Sequence, residues 1–233
     1  MDFRKRLQRL TKLRFAILYP FIAFVVIFCT PSDISFREGV WFLIAGLLIR
    51  VWANLYAIKM DKLTTSGPYA FVRHPLYLGT TFIGIGFVVI LKIPVWGLFL
   101  FFTVLGTVYY LTIKKEEHML ESKFSEFYRQ YKKHVWAFLP RITPYRSGEK
   151  WKMSFERFLR SKEYKTLIWV TVILIGFYFK EEIPEGEGMS SSVWLAGSIA
   201  LLLILVDLAS IWIIPLIFKK YFNSQTKSPS VTT

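Results

Sequence analysis

Six long apolar runs decide which folds are open to this chain. They cover residues 15–30, 40–58, 76–91, 95–113, 166–179 and 193–218. A helix needs roughly 20 mostly apolar residues to cross a bilayer, so the second, fourth and sixth runs are long enough. The other three runs are shorter and require tilt or local thinning of the bilayer. The chain is therefore predicted to be all-α: a polytopic helical membrane protein with about six spans.

The N-terminal run is predicted to be a retained membrane anchor. Residues 1–14 are basic and precede an apolar run, as in a secretory signal peptide. However, Pro31, Ser32 and Asp33 follow Cys29, so the small-residue cleavage site of a signal peptide is missing. Cys29 is the one cysteine of the chain, which excludes an intramolecular disulfide, and we interpret it as a packing residue.

The positive charge follows the predicted membrane topology. The formal net charge is +14, which is compatible with nucleic-acid binding or with a membrane protein whose charge lies on one side. Of the 30 lysines and arginines, 26 fall in alternate gaps between the runs. This asymmetry is typical of cytosolic segments, so we expect both termini in the cytosol, the acidic loop at 181–187 outside, and no nucleic-acid partner.

Two polar regions, residues 59–75 and 114–165, lie on the predicted cytosolic side. The second contains apolar side chains at helical spacing: Leu120, Phe124, Phe127, Tyr128 and Tyr131. This pattern predicts a helix that continues from the fourth run, lies along the membrane surface and ends at Pro140. A second amphipathic stretch begins at Trp151 and is interpreted as surface packing.

The first candidate site is the sequence GPYAFVRHPLYLG, from Gly67 to Gly79. Pro75 suits the first turn of a helix, so Arg73 and His74 are predicted to lie at the positive end of that helix, where anions bind. The Arg73 guanidinium also matches a carboxylate or a phosphate. In the alternative interpretation, Arg73 anchors the span and His74 caps the helix.

The second candidate site is the pair Glu116 and Glu117 at the end of the fourth run. Adjacent helical residues point about 100° apart, so one carboxylate can face a cavity while the other pairs with a lysine. The alternative is a solvated helix end. Two charges also lie inside apolar runs, Arg50 and Asp207. Because a charge in hydrocarbon is costly, we predict that these two residues pair. Alternatively, Arg50 faces the acceptor or the cofactor carboxylate, and Asp207 is protonated or marks a subunit contact.

Three segments together resemble a known superfamily. They read GLLIRVW from Gly46, SGPYAFVRHPLYLG from Ser66, and IKKEEHMLESKFSEFYRQYKKHV from Ile113. An Arg-His-Pro-x-Tyr-x-Gly element is followed about 40 residues later by Glu-Glu-x-x-Leu. This pattern resembles the isoprenylcysteine carboxyl methyltransferase and phospholipid methyltransferase superfamily of integral membrane enzymes.

The resemblance implies that S-adenosylmethionine binds at the cytosolic ends of the spans, and that a lipid-like or prenylated acceptor enters from the membrane lipid bilayer. Glu116 and Arg50 are predicted to be catalytic, and no metal site is expected. The residues implied for cofactor binding are Arg73, His74, Pro75, Tyr77, Gly79, Glu116, Glu117 and Leu120. By the same comparison, residues 1–145 form the methyltransferase-like core, 146–165 an interfacial linker, and 166–233 two additional spans and a disordered tail.

The chain departs from the superfamily pattern at Thr112, where many members have an arginine that is thought to position the acceptor. This difference disfavours an acidic isoprenylcysteine acceptor, unless Lys114 or Arg50 takes over the role. Two other functions stay open: an NADPH-dependent reductase of the steroid-reductase type, and a non-catalytic membrane scaffold. Glu116 and Glu117 disfavour the reductase because they would repel the phosphates of its cofactor, unless Arg73 and nearby cations outweigh this repulsion.

Overall fold

A computed structural model describes residues 32–58, 62–161 and 163–181, together with separate pieces between 191 and 209. Its principal helices are α1 (Asp33–Tyr56), α2 (Pro75–Ile90), α3 (Val95–His134), α4 (Phe155–Ser161) and α5 (Tyr164–Glu181). Within these ranges the chain is mostly helical and has no strand, which confirms the predicted fold class at that level. The first apolar run lies outside the described residues.

Two helices, α1 and α3, are long and apolar enough to cross a membrane, judged by length and composition. Helix α2 is apolar but shorter, as its run in the sequence suggested, and the apolar part of α5 is also short. The sixth predicted run falls largely outside the described residues. The count of six spans and the orientation of the termini therefore stay predictions.

The chain divides into two compact units, one comprising residues 31–167 and the other residues 1–30 and 168–233. In the second unit, Phe177 and Leu203 are fully buried. The first unit contains both of the polar regions that the sequence indicated, so the candidate site is described within it alone.

Helices α1 and α2 approach closely because glycines face each other across their contact. A β-carbon on Gly46 would lie 2.6 Å from the Gly79 carbonyl oxygen, and one on Gly79 would lie 2.8 Å from the Gly46 carbonyl oxygen. About two helical turns away, Gly39 and Gly86 make the same reciprocal contact at 2.6 and 2.8 Å. Small residues allow such backbone contact between helices, and membrane proteins use them where hydrophobic burial gives little driving force.

The loop between α1 and α2 turns on Gly67, which has a φ of +60°. Any β-carbon there would also collide with the Tyr56 ring, at 2.6 Å, so only glycine fits at the start of the short 3-10 helix Gly67–Ala70. Helix α2 then begins at Pro75 with His74 as its N-cap residue, as the sequence predicted.

Helix α3 continues beyond its apolar run into residues 114–134, which we call the polar half of α3. Ser125 has a φ of 44°, outside the helical region, so the helix changes direction there. The continuation was predicted, but the end at Pro140 was wrong, because α3 ends at His134. The Trp136 and Ala137 carbonyls instead accept hydrogen bonds from the N–H groups of Arg73 and His74, at 2.9 and 3.1 Å.

The apolar face of the polar half packs mostly against protein. Tyr128, Tyr131 and Val135 are buried together, and the residues around them are Leu63, Leu120, Phe124 and Tyr145. Phe127 departs from the predicted face, since 79% of it is exposed. Four of the five patterned residues thus belong to a protein core, and only Phe127 is free to face the surroundings.

The glycine contact predicts a strong effect of Gly46→Ala. The added methyl would meet the backbone of α2 at Gly79 and Ile83, which cannot give way as a flexible side chain can. We expect α1 and α2 to separate slightly and the free energy of unfolding to fall by about 1–3 kcal/mol. Thermal unfolding in detergent measures this loss.

Gly106→Ala is the matched control, because among the described residues no atom outside the local backbone of its own helix lies within 4 Å of a β-carbon built there. The control should be neutral or slightly stabilising, since alanine favours helix over glycine by about 1 kcal/mol. Equal effects of the two substitutions would contradict the proposed helix contact.

Candidate active site

Glu117 links the start of α2 to the polar half of α3. Its Oε1 lies 2.7 Å from Arg73 Nη1 and 3.4 Å from His74 Nε2, and its Oε2 lies 2.8 Å from Lys132 Nζ. The His74 side chain is buried, and 13% of the Glu117 side chain is exposed. One carboxylate therefore holds both residues of the Arg-His pair and also ties them to the far end of its own helix.

The charges around Glu117 favour its ionised form. It lies in the polar half of α3, beyond the apolar run. Burial by itself raises the pKa of Glu117. Hydrogen bonds from His74 and Lys132, together with the charge of Arg73, outweigh burial and lower this pKa from 4.5 to about 2. Glu117 is thus a fixed negative charge in the folded protein.

Glu116, the neighbouring carboxylate, faces a cavity of about 250 Å³. The Tyr77 hydroxyl donates a hydrogen bond of 3.3 Å to Glu116 Oε2, and His74 Nδ1 lies 3.8 Å from the same oxygen. The cavity is lined by Arg50, Tyr69, Arg73, His74, Pro75, Leu76, Tyr77, Thr80 and Glu116. The two adjacent carboxylates therefore divide as the sequence suggested, with one facing a cavity and the other holding cations.

Arg50 lies in the cavity wall and is held from several sides. Its guanidinium donates to the Thr80 hydroxyl and forms an ion pair with Glu163. A longer contact of 3.4 Å reaches the Leu76 carbonyl. The predicted partner, Asp207, lies outside the described residues, so that pair stays a prediction, but Arg50 already has an acidic partner from another segment.

The structure brings six of the predicted site residues to the cavity wall: Arg50, Arg73, His74, Pro75, Tyr77 and Glu116. Three others stand elsewhere. Glu117 binds the cations behind the wall, and Gly79 makes the helix contact. Leu120 packs in the core of the polar half of α3. The assignment of these residues to a ligand stays a prediction.

Sequence analysis missed four residues of this region. Tyr69, Leu76 and Thr80 line the cavity, and Glu163 pairs with the cavity residue Arg50. Tyr69 and Leu76 lie within the motif quoted for the resemblance, so the motif itself was the available signal. Thr80 follows that motif directly, one turn of α2 beyond Leu76. Nothing in the sequence pointed to Glu163, which is 113 residues from Arg50.

The cavity is suited to a ligand that carries both charges. The Nε atoms of Arg50 and Arg73 are buried and, among the described residues, have no hydrogen-bond acceptor. Leaving such buried donors unpaired is costly. Arg50 and Arg73 both line the cavity, and a guanidinium can bind a carboxylate or a phosphate oxygen. Glu116 can bind an ammonium or hydroxyl groups. In the described ranges, no group of three or more His, Cys, Asp or Glu side chains is placed to hold a metal ion.

Comparison with known families supports the resemblance. Residues 41–126 match the phospholipid methyltransferase family, a branch of the superfamily inferred from the motifs. This range includes α2, the glutamate pair and most of α1. The matched part of the chain is thus similar to the membrane methyltransferase domains of that family.

Two curated relatives share part of the sequence. The cobalt-zinc-cadmium resistance protein CzcN of Cupriavidus metallidurans is 34% identical over 116 residues, which is 48% of this chain and 52% of that protein. The nickel-cobalt-cadmium resistance protein NccN of Alcaligenes xylosoxydans xylosoxydans is 31% identical over 114 residues, with 48% and 53% covered. The chain thus spans about half the length of these relatives. No solved structure matches it.

The lowered pKa of Glu117 predicts a pH-dependent stability. Because the folded pKa lies below the unfolded value, ionised Glu117 stabilises the fold above about pH 4.5, and this contribution is lost as the pH falls towards 2. Glu117→Gln should remove about 1.5–3 kcal/mol near pH 7 and flatten the acid dependence of the melting temperature. Melting curves across this pH range measure both effects.

Glu126→Gln is the control on the same helix, since the Glu126 side chain is exposed and its Oε2 lies 3.9 Å from Arg129 Nη1. We expect little change in this variant. If the two variants lost stability equally, or if Glu117→Gln kept the full acid dependence, the role given to Glu117 would be wrong.

Proposed function

We propose that this chain, whose residues 41–126 match the phospholipid methyltransferase family, is an S-adenosylmethionine-dependent enzyme that methylates a lipid-like acceptor. One observation carries the proposal. The Arg-His-Pro-x-Tyr element and the glutamate pair, about 40 residues apart, meet at a single cavity through Tyr77, His74 and Glu116. Two motifs that are each weak alone thus share one site.

The cavity groups complement the charges of this cofactor. S-adenosylmethionine has a carboxylate, an ammonium, ribose hydroxyls and a methyl group on a sulfonium, which is already a good leaving group. The buried guanidinium of Arg73 would bind the carboxylate, and Glu116 would bind the ammonium or the ribose hydroxyls. Tyr77 holds Glu116 in place by its hydrogen bond. The protein then mainly aligns the acceptor with the methyl group and excludes water.

The acceptor is proposed to reach the cavity from the bilayer. Arg50 and Thr80 lie on α1 and α2 several residues inside the ends that face the polar loop. The headgroup of a lipid that lies against these helices would therefore stand beside the deeper part of the cavity. The acceptor is a lipid-like or prenylated molecule with an amine, a thiol or a carboxylate to methylate.

The proposed topology places the cavity on the cytosolic side. Its elements are the polar regions 59–75 and 114–165, which carry most of the positive charge. We propose a multi-pass protein of six spans with both termini in the cytosol.

Binding of S-adenosylhomocysteine tests the cofactor site. The purified protein should bind it, and Glu116→Gln should weaken the affinity about tenfold, through loss of one charge-assisted hydrogen bond. Titration calorimetry with S-adenosylmethionine, S-adenosylhomocysteine and NADPH measures the three affinities. Glu121→Gln is the control, since Glu121 pairs with Arg129 away from the cavity.

Each other outcome of the titrations favours one of the alternatives. Binding of NADPH alone would replace the methyltransferase with a reductase. Absence of binding by any of the three compounds would favour a scaffold. An unchanged S-adenosylhomocysteine affinity in folded Glu116→Gln would remove Glu116 from the site.

Cysteine labelling tests the topology. In a Cys29→Ser background, Ser190→Cys should react with a membrane-impermeant reagent in intact cells, because the loop is expected outside. A cysteine introduced at Ser228 should react only after permeabilisation. The reverse pattern would overturn the six-span arrangement.

A further inference from the structure

The ion pair between Arg50 and Glu163 joins the cavity to a segment outside the methyltransferase domain. Arg50 and Thr80 lie within residues 41–126, whereas Glu163 lies well beyond them, directly before α5. Glu163 is not itself part of the cavity wall. The family comparison therefore accounts for Arg50 but leaves its acidic partner without a role.

Arg50 marks the deep end of the cavity. It is six residues before the end of α1 at Tyr56, about 9 Å along the helix. Its partner Thr80 is five residues after the start of α2 at Pro75, about 7.5 Å along that helix. Arg73 and Glu116 instead lie where the polar segments meet the helix ends. A water-soluble cofactor reaches that outer end first, whereas a lipid headgroup approaches the deep end from hydrocarbon.

Glu163 compensates the charge of Arg50 at this depth. The two side chains are only 16% and 20% exposed, so water screens their interaction weakly. Thr166 also donates a hydrogen bond of 3.4 Å to the same carboxylate oxygen, which helps to hold Glu163 towards Arg50. The deep end thus carries little net charge.

We propose that Glu163 determines acceptor specificity, because it neutralises Arg50 and so disfavours an anionic headgroup at the deep end of the cavity. This inference rests on the proposed function and adds a specificity residue to it. The pairing leaves an uncharged headgroup unaffected, whereas a carboxylate there would face Glu163 across the guanidinium. The charge that disfavours an anionic headgroup is that of Glu163, which follows the residues that match the methyltransferase family.

Glu163→Gln is the test, because it keeps an oxygen for Arg50 and removes the charge. The probes are 12-bromododecanoate and 12-bromododecanamide, which share a chain and differ in headgroup charge, at a pH where the acid is ionised. Their binding in detergent is followed by quenching of tryptophan fluorescence. In Glu163→Gln the affinity for the acid relative to the amide should rise about tenfold, equivalent to about 1.4 kcal/mol. Binding of S-adenosylhomocysteine should stay unchanged.

Two controls separate this effect from general changes in charge or folding. Glu149→Gln removes the same charge from an exposed pair with Lys62, away from Arg50, and should leave the ratio unchanged. In the double variant Arg50→Gln with Glu163→Gln, the gain in the ratio should disappear, since the cation that attracts the acid is gone.

The outcomes distinguish the inference from the proposed function. If Glu163→Gln binds S-adenosylhomocysteine normally but its acid-to-amide ratio does not rise, Glu163 does not select the acceptor. If the substitution instead tightens S-adenosylhomocysteine and leaves the ratio constant, Arg50 faces the cofactor and the inference is wrong. If the unaltered protein binds no S-adenosylhomocysteine, the proposed function itself fails, whatever the ratio shows.

Discussion

The backbone contact between α1 and α2 positions much of what surrounds the cavity. Gly46 and Gly79 allow each helix to touch the other's carbonyl oxygen, and the Arg50 side chain lies across the open face of Gly79, where a β-carbon would stand 2.7 Å from Arg50 Cγ. The guanidinium can therefore reach Thr80 on the neighbouring helix. Gly79 was predicted to bind the cofactor, and its place in the structure indicates a different contribution. Because Gly79 has no side chain, the Arg50 side chain has the space to lie across it and line the cavity.

A second constraint is the placement of two adjacent carboxylates on different sides of one wall. The Glu117 carboxylate contacts Arg73, His74 and Lys132, and these contacts keep it ionised. Glu116 is left to face the cavity, with 42% of its side chain exposed. The chain after α3 completes this arrangement, because the Trp136 and Ala137 carbonyls fix the N–H groups of Arg73 and His74. These two backbone N–H groups are therefore engaged within the protein.

The segment after the residues that match the phospholipid methyltransferase family contacts Arg50 in the cavity wall. Helix α4 begins after Ser154, whose N–H donates to the Leu55 carbonyl at 2.9 Å near the end of α1. Arg157 adds a contact of 3.3 Å to the Tyr56 carbonyl. These bonds hold the segment beside α1, so that Glu163 reaches Arg50. The additional C-terminal sequence thus contacts the cavity wall through one ion pair, between Glu163 and Arg50.

The sequence by itself determined the helical class, the start of α2 at Pro75 and the two polar regions that form the site, because apolar run length and proline chemistry are local properties. It also indicated that Glu116 and Glu117 would differ in role, since adjacent helical side chains diverge. Only the tertiary structure decided which carboxylate faces the cavity, where α3 ends, and that Glu163 pairs with Arg50. Those outcomes depend on contacts between residues far apart in the chain, and no local pattern encodes which distant groups will meet.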